Sequence, residues 1–302
     1  SFANIPRRVC GKGDEKMKTN ESLASRIFDW ANNVFMIILM AVMLYPMVYV
    51  FSASISNNAL VARGDVLLWP KGITWIAYEQ LIYNPDLWIS YWNTIRYVVV
   101  YVLFTLAATS AMAYPLSKKW LPGRRAILLM AAFTLLFSGG LIPTFLVVQT
   151  LGLLDTMWAI ILPSLISTWY LFIMRTFFEA MPEELEDAAT IDGCGYLQVL
   201  IRIVLPLSAP VMATIGLFSA VNQWNSFFDA MIYLNDRKLY PLQIMLRNIL
   251  VAGTNVQGEG DLTYLETLKY AMIIIGTLPI LCVYPFLQKY FVQGAMIGGI
   301  KG

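Results

Sequence analysis

The chain alternates long apolar stretches that carry no charge with shorter polar segments. Six stretches free of Asp, Glu, Lys and Arg can each hold the roughly 20 residues of a helical membrane crossing. Because a charge at the bilayer centre is costly, gaps between ionisable residues mark where a chain can cross. The pattern predicts an all-α membrane protein with six transmembrane helices, within residues 30–62, 97–117, 126–154, 156–174, 203–228 and 270–288.

Composition agrees with a membrane protein and excludes several kinds of chemistry. Of the 302 residues, 58% are hydrophobic and 13% charged, which is about half the charged fraction of an ordinary globular domain. The chain has no histidine, so histidine metal sites and Ser-His-Asp triads are excluded. Cys10, Cys194 and Cys282 are far apart and predict free thiols. The net charge of +2 is too small for nucleic-acid binding, and we predict neither a catalytic residue nor a metal ligand.

The distribution of basic residues predicts the orientation in the membrane. Fourteen of the 21 lysines and arginines fall before the first span, after the even-numbered spans or after the last one. By the positive-inside rule, both termini are expected in the cytoplasm. Residues 1–26 are expected to form a cytoplasmic arm and residues 27–302 the six-span domain. Residues 1–16 are expected to be a disordered arm or a remnant before a natural start at Met17.

An acidic segment between the fourth and fifth spans, residues 179–206, stands out in a chain with so few charges. Six of its first fourteen residues are acidic. Pro182 suits a helix start, and Gly193 can end that helix in a left-handed turn. We predict helices at about 182–192 and 196–204, the second ending at Pro206. Ala188 and Ala189 are expected on one shallow face of the first helix, open to another protein.

Polar and flexible positions inside the spans provide further candidates. Asn222, Gln223, Trp224 and Asn225 in the fifth span are expected to face either a neighbouring helix or a water-filled path. Amides and aromatic rings suit sugars, so these four residues with Tyr97 and Tyr101 form a possible translocation path. The run 138–140, with Pro143 after it, predicts either a kink or a moving hinge in the third span.

The acidic segment resembles a known family motif. The order Asp187-Ala188-Ala189, then Gly193, then Ile203-Val204-Leu205-Pro206 resembles the EAA loop of bacterial ABC importer permeases. One departure is Asp187, where that family usually has Glu; the charge is kept but its reach is shorter. The sequences at 175–186, 224–228 and 288–302 are similar to carbohydrate-uptake permeases, and to the smaller permease of the maltose importer in particular. Residues 113–119 and 224–243 look most like importers of alginate and other uronate polymers.

The resemblance implies a type I ABC importer permease that works by alternating access in the bacterial inner membrane. Its implied partners are a second six-span permease in a heterodimer, two ATPase copies, an external solute-binding protein, a carbohydrate and membrane lipid. ATP and Mg²⁺ would bind the ATPase, since this chain has no phosphate-binding loop. The residues implied in coupling to the ATPase are Glu184, Glu186, Asp187, Ala188, Ala189, Asp192, Gly193, Ile203, Leu205 and Pro206. The tail residues Gly298, Gly299 and Lys301 are implied to reach the ATPase as well.

Alternatives remain at this stage. The acidic segment could be a solvated loop, and the tail an ordinary frayed end. A secondary transporter or channel without an ATPase would normally need acids deep within the spans, whereas Asp29 and Asp229 lie at their edges. A membrane-embedded enzyme would need clustered catalytic groups, which the sequence lacks.

Overall fold

The computed structural model describes residues 23–252 and 265–299, with side chains for 25–251 and 266–283. Every regular element in these ranges is helical, as the charge pattern predicts. The first eight helices are α1 (Leu23–Ser54), α2 (Asn58–Ala62), α3 (Ile76–Ile82), α4 (Pro85–Ser117), α5 (Arg124–Leu136), α6 (Leu141–Thr150), α7 (Met157–Ile161) and α8 (Thr168–Glu179). The next seven are α9 (Glu183–Ile191), α10 (Tyr196–Val199), α11 (Leu205–Leu207), α12 (Ala209–Asn225), α13 (Phe228–Tyr233), α14 (Leu242–Ala252) and α15 (Leu265–Gly299).

Ser1–Val48 and Tyr49–Gly302 form two separate compact units. Helices α2–α15 all belong to the second unit. Gly298 and Gly299 are in the last turn of α15, while Lys301 and residues 1–22 lie outside the described residues.

Three described helices are long and apolar enough to cross a membrane: α1, α4 and the part of α15 up to Val283. Two bent pairs raise the number to five if each pair counts as one span. In the first pair, α5 and α6 meet at 115°, with the predicted break at 138–140 between them. In the second, the stretch Tyr196–Leu207 meets α12 at 81°. The predicted kink in the third span is therefore confirmed as a sharp break, while the count of six stays a prediction.

The fourth predicted span, residues 156–174, is not one continuous helix in the structure. It falls on α7 and the first part of α8, with a break at 162–167. Pro163 has no N–H with which to continue α7. The Ser164 hydroxyl donates to the Ile160 carbonyl at 3.3 Å, and the Tyr101 hydroxyl donates to the Ser164 carbonyl at 3.0 Å. Side chains thus satisfy carbonyls that the break leaves without helical partners.

Helix α4 is the central element of the second unit and packs against both α8 and α12. With 33 residues it is about 50 Å long, which exceeds the roughly 30 Å of a bilayer's hydrocarbon core. At its C-terminal end, Tyr114 and Leu116 join a buried apolar cluster that includes Phe178, Ala189 and Val199. At its N-terminal end, other buried clusters hold α4 against α13, α14 and α15. One rigid helix therefore connects the two candidate regions described below.

Asp155 links two connecting segments that lie far apart in the sequence. Its backbone is left-handed, with φ of 56°, a conformation that Asp and Asn adopt more readily than other side chains with a Cβ. Its carboxylate accepts hydrogen bonds from the Asn235 amide N–H at 2.5 Å, the Asn235 side chain at 3.2 Å and the Asp236 amide at 3.1 Å. These hydrogen bonds, led by the Asn235 amide, lower the pKa of Asp155. The segment before α7 is thereby joined to the segment after α13.

Candidate functional site

The acidic segment forms the predicted helix, which is α9. Pro182 precedes its first turn, and Glu183, Glu184 and Glu186 lie within that turn, where the helix dipole favours negative charge. The helix ends at Ile191, so both ends match the predicted helix at about 182–192 within a residue. Local signals in the sequence are sufficient to define this helix.

The turn after α9 depends on the left-handed conformation of Gly193, whose φ is 83°. The Cys194 amide donates to the Ala189 carbonyl at 2.9 Å, and the Gly193 amide donates to the Thr190 carbonyl at 3.0 Å. These two bonds are the Schellman motif, which satisfies the last carbonyls of a helix. A Cβ added to Gly193 would meet nothing within 4 Å. Glycine is therefore needed for its backbone conformation rather than to avoid a clash.

The second helix starts at Tyr196 and ends at Leu207, within a residue of the predicted end at Pro206, but it is not a regular α-helix throughout. It starts as α10, widens into a π turn at Leu200–Val204 and continues as α11 to Leu207. The Leu205 amide donates to the Leu200 carbonyl, one residue further back than in an α-helix. Proline lacks the N–H that an α-helix would require next, and the wider turn just before it accommodates this loss. The chain then bends by 81° into α12.

Ala188 and Ala189 do not share an open face, which corrects the prediction. Ala188 is exposed, whereas Ala189 is only 6% exposed and packs in the core cluster at the C-terminal end of α4. Neighbouring residues of a helix point about 100° apart, so a helix resting on the core exposes only one of them. Of its large apolar side chains, α9 exposes Ile191 most, at 87%, and Leu185 less, at 44%. Ile191 is not among the coupling residues that the sequence predicts, although an isoleucine in a surface helix is a usable signal.

The other predicted coupling residues divide by exposure. Those exposed are Glu184, Asp187, Asp192, Gly193 and Pro206, and those partly buried are Glu186, Ile203 and Leu205. Ile203 and Leu205 pack against the same core cluster. The structure therefore presents an outer surface on α9 and holds the second helix against the body of the protein.

Glu186 bonds within the chain. It forms an ion pair with Lys118 and accepts a hydrogen bond from the Tyr114 hydroxyl at 3.3 Å. The Lys118 ammonium lies 5.0 Å from the centre of the Tyr114 ring, an additional cation–π contact. The Lys118 and Glu186 side chains are only 16% and 18% exposed. This contact ties α9 to the C-terminal end of α4.

Two arginines cap the same end of α4. The Nε groups of Arg124 and Arg175 donate to the Leu116 carbonyl at 2.8 and 3.1 Å. Both guanidinium groups also pair with Glu179, at 2.5 and 2.7 Å. Positive charge is favourable at a helix C-terminus, where carbonyls lack helical partners. The ends of α4, α5 and α8 are thus held together immediately before α9.

At the opposite end of α4, the side chains of three residues within positions 93–97 hold the segment 237–242. The Asn93 amide donates to the Lys238 carbonyl at 2.7 Å, and Thr94 Oγ1 accepts from the Leu242 amide at 2.8 Å. Tyr97 is 1% exposed, and its hydroxyl donates to the Leu239 carbonyl at 2.8 Å. Tyr97 and Tyr101, predicted on a sugar path, thus both bond to backbone carbonyls.

The polar cluster of the fifth span is divided between the interior and the surface. Trp224 is 8% exposed and donates to the Gly276 carbonyl at 3.1 Å, and Gln223 is 7% exposed. Asn222 and Asn225 are exposed, and the Asn225 side-chain Nδ2 donates to the Val221 carbonyl at 2.9 Å. In this structure, Trp224 joins two helices, and the four residues do not form one surface.

A polar cleft of about 300 Å³ lies between the start of α4 and the segment 237–249. It is lined by Asp86, Ser90, Arg237, Tyr240, Met245, Asn248 and Ile249. Among the described residues, no ion pair engages Arg237. The combination of a cation, an amide and a phenol can bind a ligand with a carboxylate and hydroxyl groups. The sequence does not predict this cleft, because its residues come from two segments about 150 positions apart.

A family model, curated relatives and a solved structure each match most of this chain. The family described as "Binding-protein-dependent transport system inner membrane component" matches residues 21–296. Protein LplC of Bacillus subtilis (strain 168) is 43% identical over 284 residues, covering 92% of this chain and 96% of LplC. The polygalacturonan/rhamnogalacturonan transport system permease protein YtcP of the same organism is 38% identical, covering 93% of this chain and all of YtcP.

A solved structure is similar over nearly the same length. It is a chain of a bacterial ABC transporter involved in the import of the acidic polysaccharide alginate. The TM-score is 0.84 at 38% sequence identity, with 89% of this chain and 98% of that chain covered.

Proposed function

Because the chain belongs to the family of binding-protein-dependent transport inner membrane components, we propose that it carries a uronate-containing saccharide across the bacterial inner membrane. It acts as a permease subunit of an ATP-driven carbohydrate importer and is not itself a catalyst. The observation that carries the choice of substrate is that two separate relatives, YtcP and the alginate transporter, are named for acidic polysaccharides. The alternative of a secondary transporter or channel is dropped, because this family depends on a binding protein.

The polar cleft supports a substrate with carboxylate groups. Arg237 can form a bidentate, charge-assisted pair with a carboxylate, and Tyr240 and Asn248 can bond to sugar hydroxyls. The hydrogen bonds from α4 fix the backbone that carries Arg237 and Tyr240, which reduces the entropy lost on binding. In this proposal Arg237, rather than Tyr97 or Tyr101, contacts the substrate.

The partners are a second six-span permease, two ATPase copies with ATP and Mg²⁺, and an external solute-binding protein. The exposed surface of α9 docks on the ATPase through Asp187, Ala188 and Ile191, in the way that an amphipathic helix fills a groove. Gly193 sets the angle to the second helix, and the Glu186–Lys118 pair transmits the movement to α4. Both termini and the acidic segment lie in the cytoplasm.

The test is ATP-driven uptake by the complete complex in liposomes. The binding protein is supplied empty, or loaded with galacturonate oligomers, alginate oligomers or neutral malto-oligosaccharides. We expect a uronate oligomer to stimulate both ATP hydrolysis and uptake, and Arg237→Gln to lower uptake by about tenfold, as loss of a charged hydrogen bond implies. Lys238→Gln is the matched control, since Lys238 is adjacent and does not line the cleft.

Two results would contradict the proposal in different ways. Stimulation by neutral sugars alone would overturn the substrate class and leave the importer function intact. Equal uptake of the uronate oligomer by Arg237→Gln and by the control would remove the cleft from the substrate path.

A further inference from the structure

A second pocket, which the transport function does not use, lies at the C-terminal end of α4. It has a volume of about 520 Å³ and opens beside the loop between α4 and α5. We define it as the basic pocket by its four cationic residues, Lys119, Arg124, Arg125 and Arg175, with Leu128 and Leu129 at its apolar side.

Positive charge in the basic pocket exceeds negative charge. Arg124 and Arg175 share one acid, Glu179. Lys119 and Arg125 are exposed and form no ion pair with any acid in the described residues. Four cations around a single carboxylate leave a site for a compact anion with several acceptor oxygens, such as a phosphate group.

Beyond its first turn, the helix that leaves the pocket exposes mainly apolar side chains, with Thr134 as the exposed polar residue. Helix α5 has no buried residue, and after its first turn Leu129, Met130, Phe133 and Leu136 are 62%, 70%, 57% and 82% exposed. In a chain of this family such a surface lies in the hydrocarbon of the membrane, while Arg124 and Arg125 mark the membrane–water boundary. The ligand that matches both parts has an anionic head and long apolar chains.

We propose that the basic pocket binds the phosphate headgroup of an anionic phospholipid, whose acyl chains lie along α5. A free phosphate would fill only the charged part, and the apolar surface of α5 would gain nothing from it. The bound headgroup adds a ligand to the junction formed by Arg124, Arg175 and Glu179, which lies immediately before α9. The lipid therefore stabilises the base from which the acidic segment projects.

The experiment measures phosphatidylglycerol and phosphatidylcholine binding to the purified complete complex by native mass spectrometry. We expect the double variant K119Q/R125Q to bind phosphatidylglycerol about 30-fold more weakly, as loss of two surface cations implies. Phosphatidylcholine binding should be unchanged. The control R63Q/K71Q removes the same charge from exposed positions outside the pocket and should bind both lipids normally.

Two further arms keep the result interpretable. The variant K119R/R125K keeps both charges and should bind phosphatidylglycerol normally, while an unchanged melting temperature of K119Q/R125Q in phosphatidylcholine shows that it is folded. Equal phosphatidylglycerol binding by K119Q/R125Q and the unmodified complex would overturn the proposal. Full displacement of the lipid by millimolar glycerol phosphate would overturn it too, because the pocket would then be a site for soluble phosphates.

Discussion

Glycine is required at position 193 because the backbone there is left-handed. The effect of a substitution on the backbone can therefore be separated from the effect of side-chain size. An added Cβ has free space, so a substitution costs the conformational strain of about 1–2 kcal/mol and no clash. We expect Gly193→Val to lower substrate-stimulated ATP hydrolysis by the complex roughly 5- to 30-fold, and Gly193→Asn to be milder, because Asn tolerates the left-handed region. Gly195 is the matched control, since its φ of −76° suits any residue. Equal loss in Gly193→Val and Gly195→Val would contradict this account.

Asp155 holds the segment at Asn235 and Asp236 through its ionised carboxylate. Its lowered pKa determines the pH range over which these hydrogen bonds persist. A carboxylate with a depressed pKa in the folded state contributes stability above its unfolded pKa, and the contribution is lost as the pH falls through the folded value. We therefore expect slow hydrogen exchange at the Asn235 and Asp236 amides to persist from about pH 7 to pH 5. Exchange should become faster in Asp155→Gly, which keeps the backbone conformation and removes the acceptor. In Asp155→Asn, which keeps one acceptor oxygen, the exchange rate should lie between those of the unmodified protein and Asp155→Gly. Unchanged exchange in Asp155→Gly would show that the hydrogen bonds of Asp155 do not protect these amides.

Between elements, the Glu186–Lys118 pair joins α9 to the C-terminal end of α4, and we expect it to make the two helices move together. The pair is largely shielded from water and carries a second hydrogen bond from Tyr114, so its loss should cost about 1–2 kcal/mol. We expect Lys118→Gln and Glu186→Gln each to lower uptake per ATP hydrolysed several-fold, and the double variant to be no worse than either. Lys269→Gln is the control, because Lys269 pairs with Glu266 within α15 and joins no two elements. Additive losses would indicate that the two residues act separately.

The same elements show which parts of the fold the sequence can predict. Helix α9 and its turn follow from neighbouring residues: Pro182 at the start, acids in the first turn and Gly193 at the end. The spans are harder to predict than α9. A run without charges shows where a chain can enter lipid, but it does not show where the helix breaks. The run 156–174, for example, has no charge and yet contains the break at 162–167 between α7 and α8.

Contacts between distant residues could not be predicted from spacing alone. Glu186 was expected at the ATPase, yet it bonds to a lysine 68 positions earlier. Ala188 and Ala189 are adjacent in sequence, yet Ala189 is buried in the core and Ala188 is exposed. Only the way in which α9 packs decides which of the two is buried. The basic pocket likewise brings Arg175 to Arg124 across 51 positions by folding α8 against α5.

At the scale of the whole molecule, α4 connects the polar cleft to the acidic segment. The cleft includes Asp86 and Ser90 in its first turns, and Lys118, just after its last residue, pairs with Glu186. A helix of about 50 Å exceeds the roughly 30 Å of the hydrocarbon core, so α4 is long enough to place its two ends on opposite sides of a membrane. In the proposed importer, a change at one end of α4 would reach the other end through this single helix, as alternating access requires.

Labelling of single cysteines measures which end of α4 faces the cytoplasm. In a variant with Cys10, Cys194 and Cys282 changed to serine, Lys71→Cys and Gln198→Cys place one exposed thiol near each end of α4. The excess of basic residues on the side of the acidic segment predicts that a membrane-impermeant maleimide modifies Lys71→Cys in intact cells. Gln198→Cys should react only after permeabilisation, and less when the ATPase is bound, since it lies beside the proposed docking surface. Reaction of both thiols in intact cells would mean that α4 does not span, and the reverse pattern would place the acidic segment outside the cell, where no ATPase could reach it.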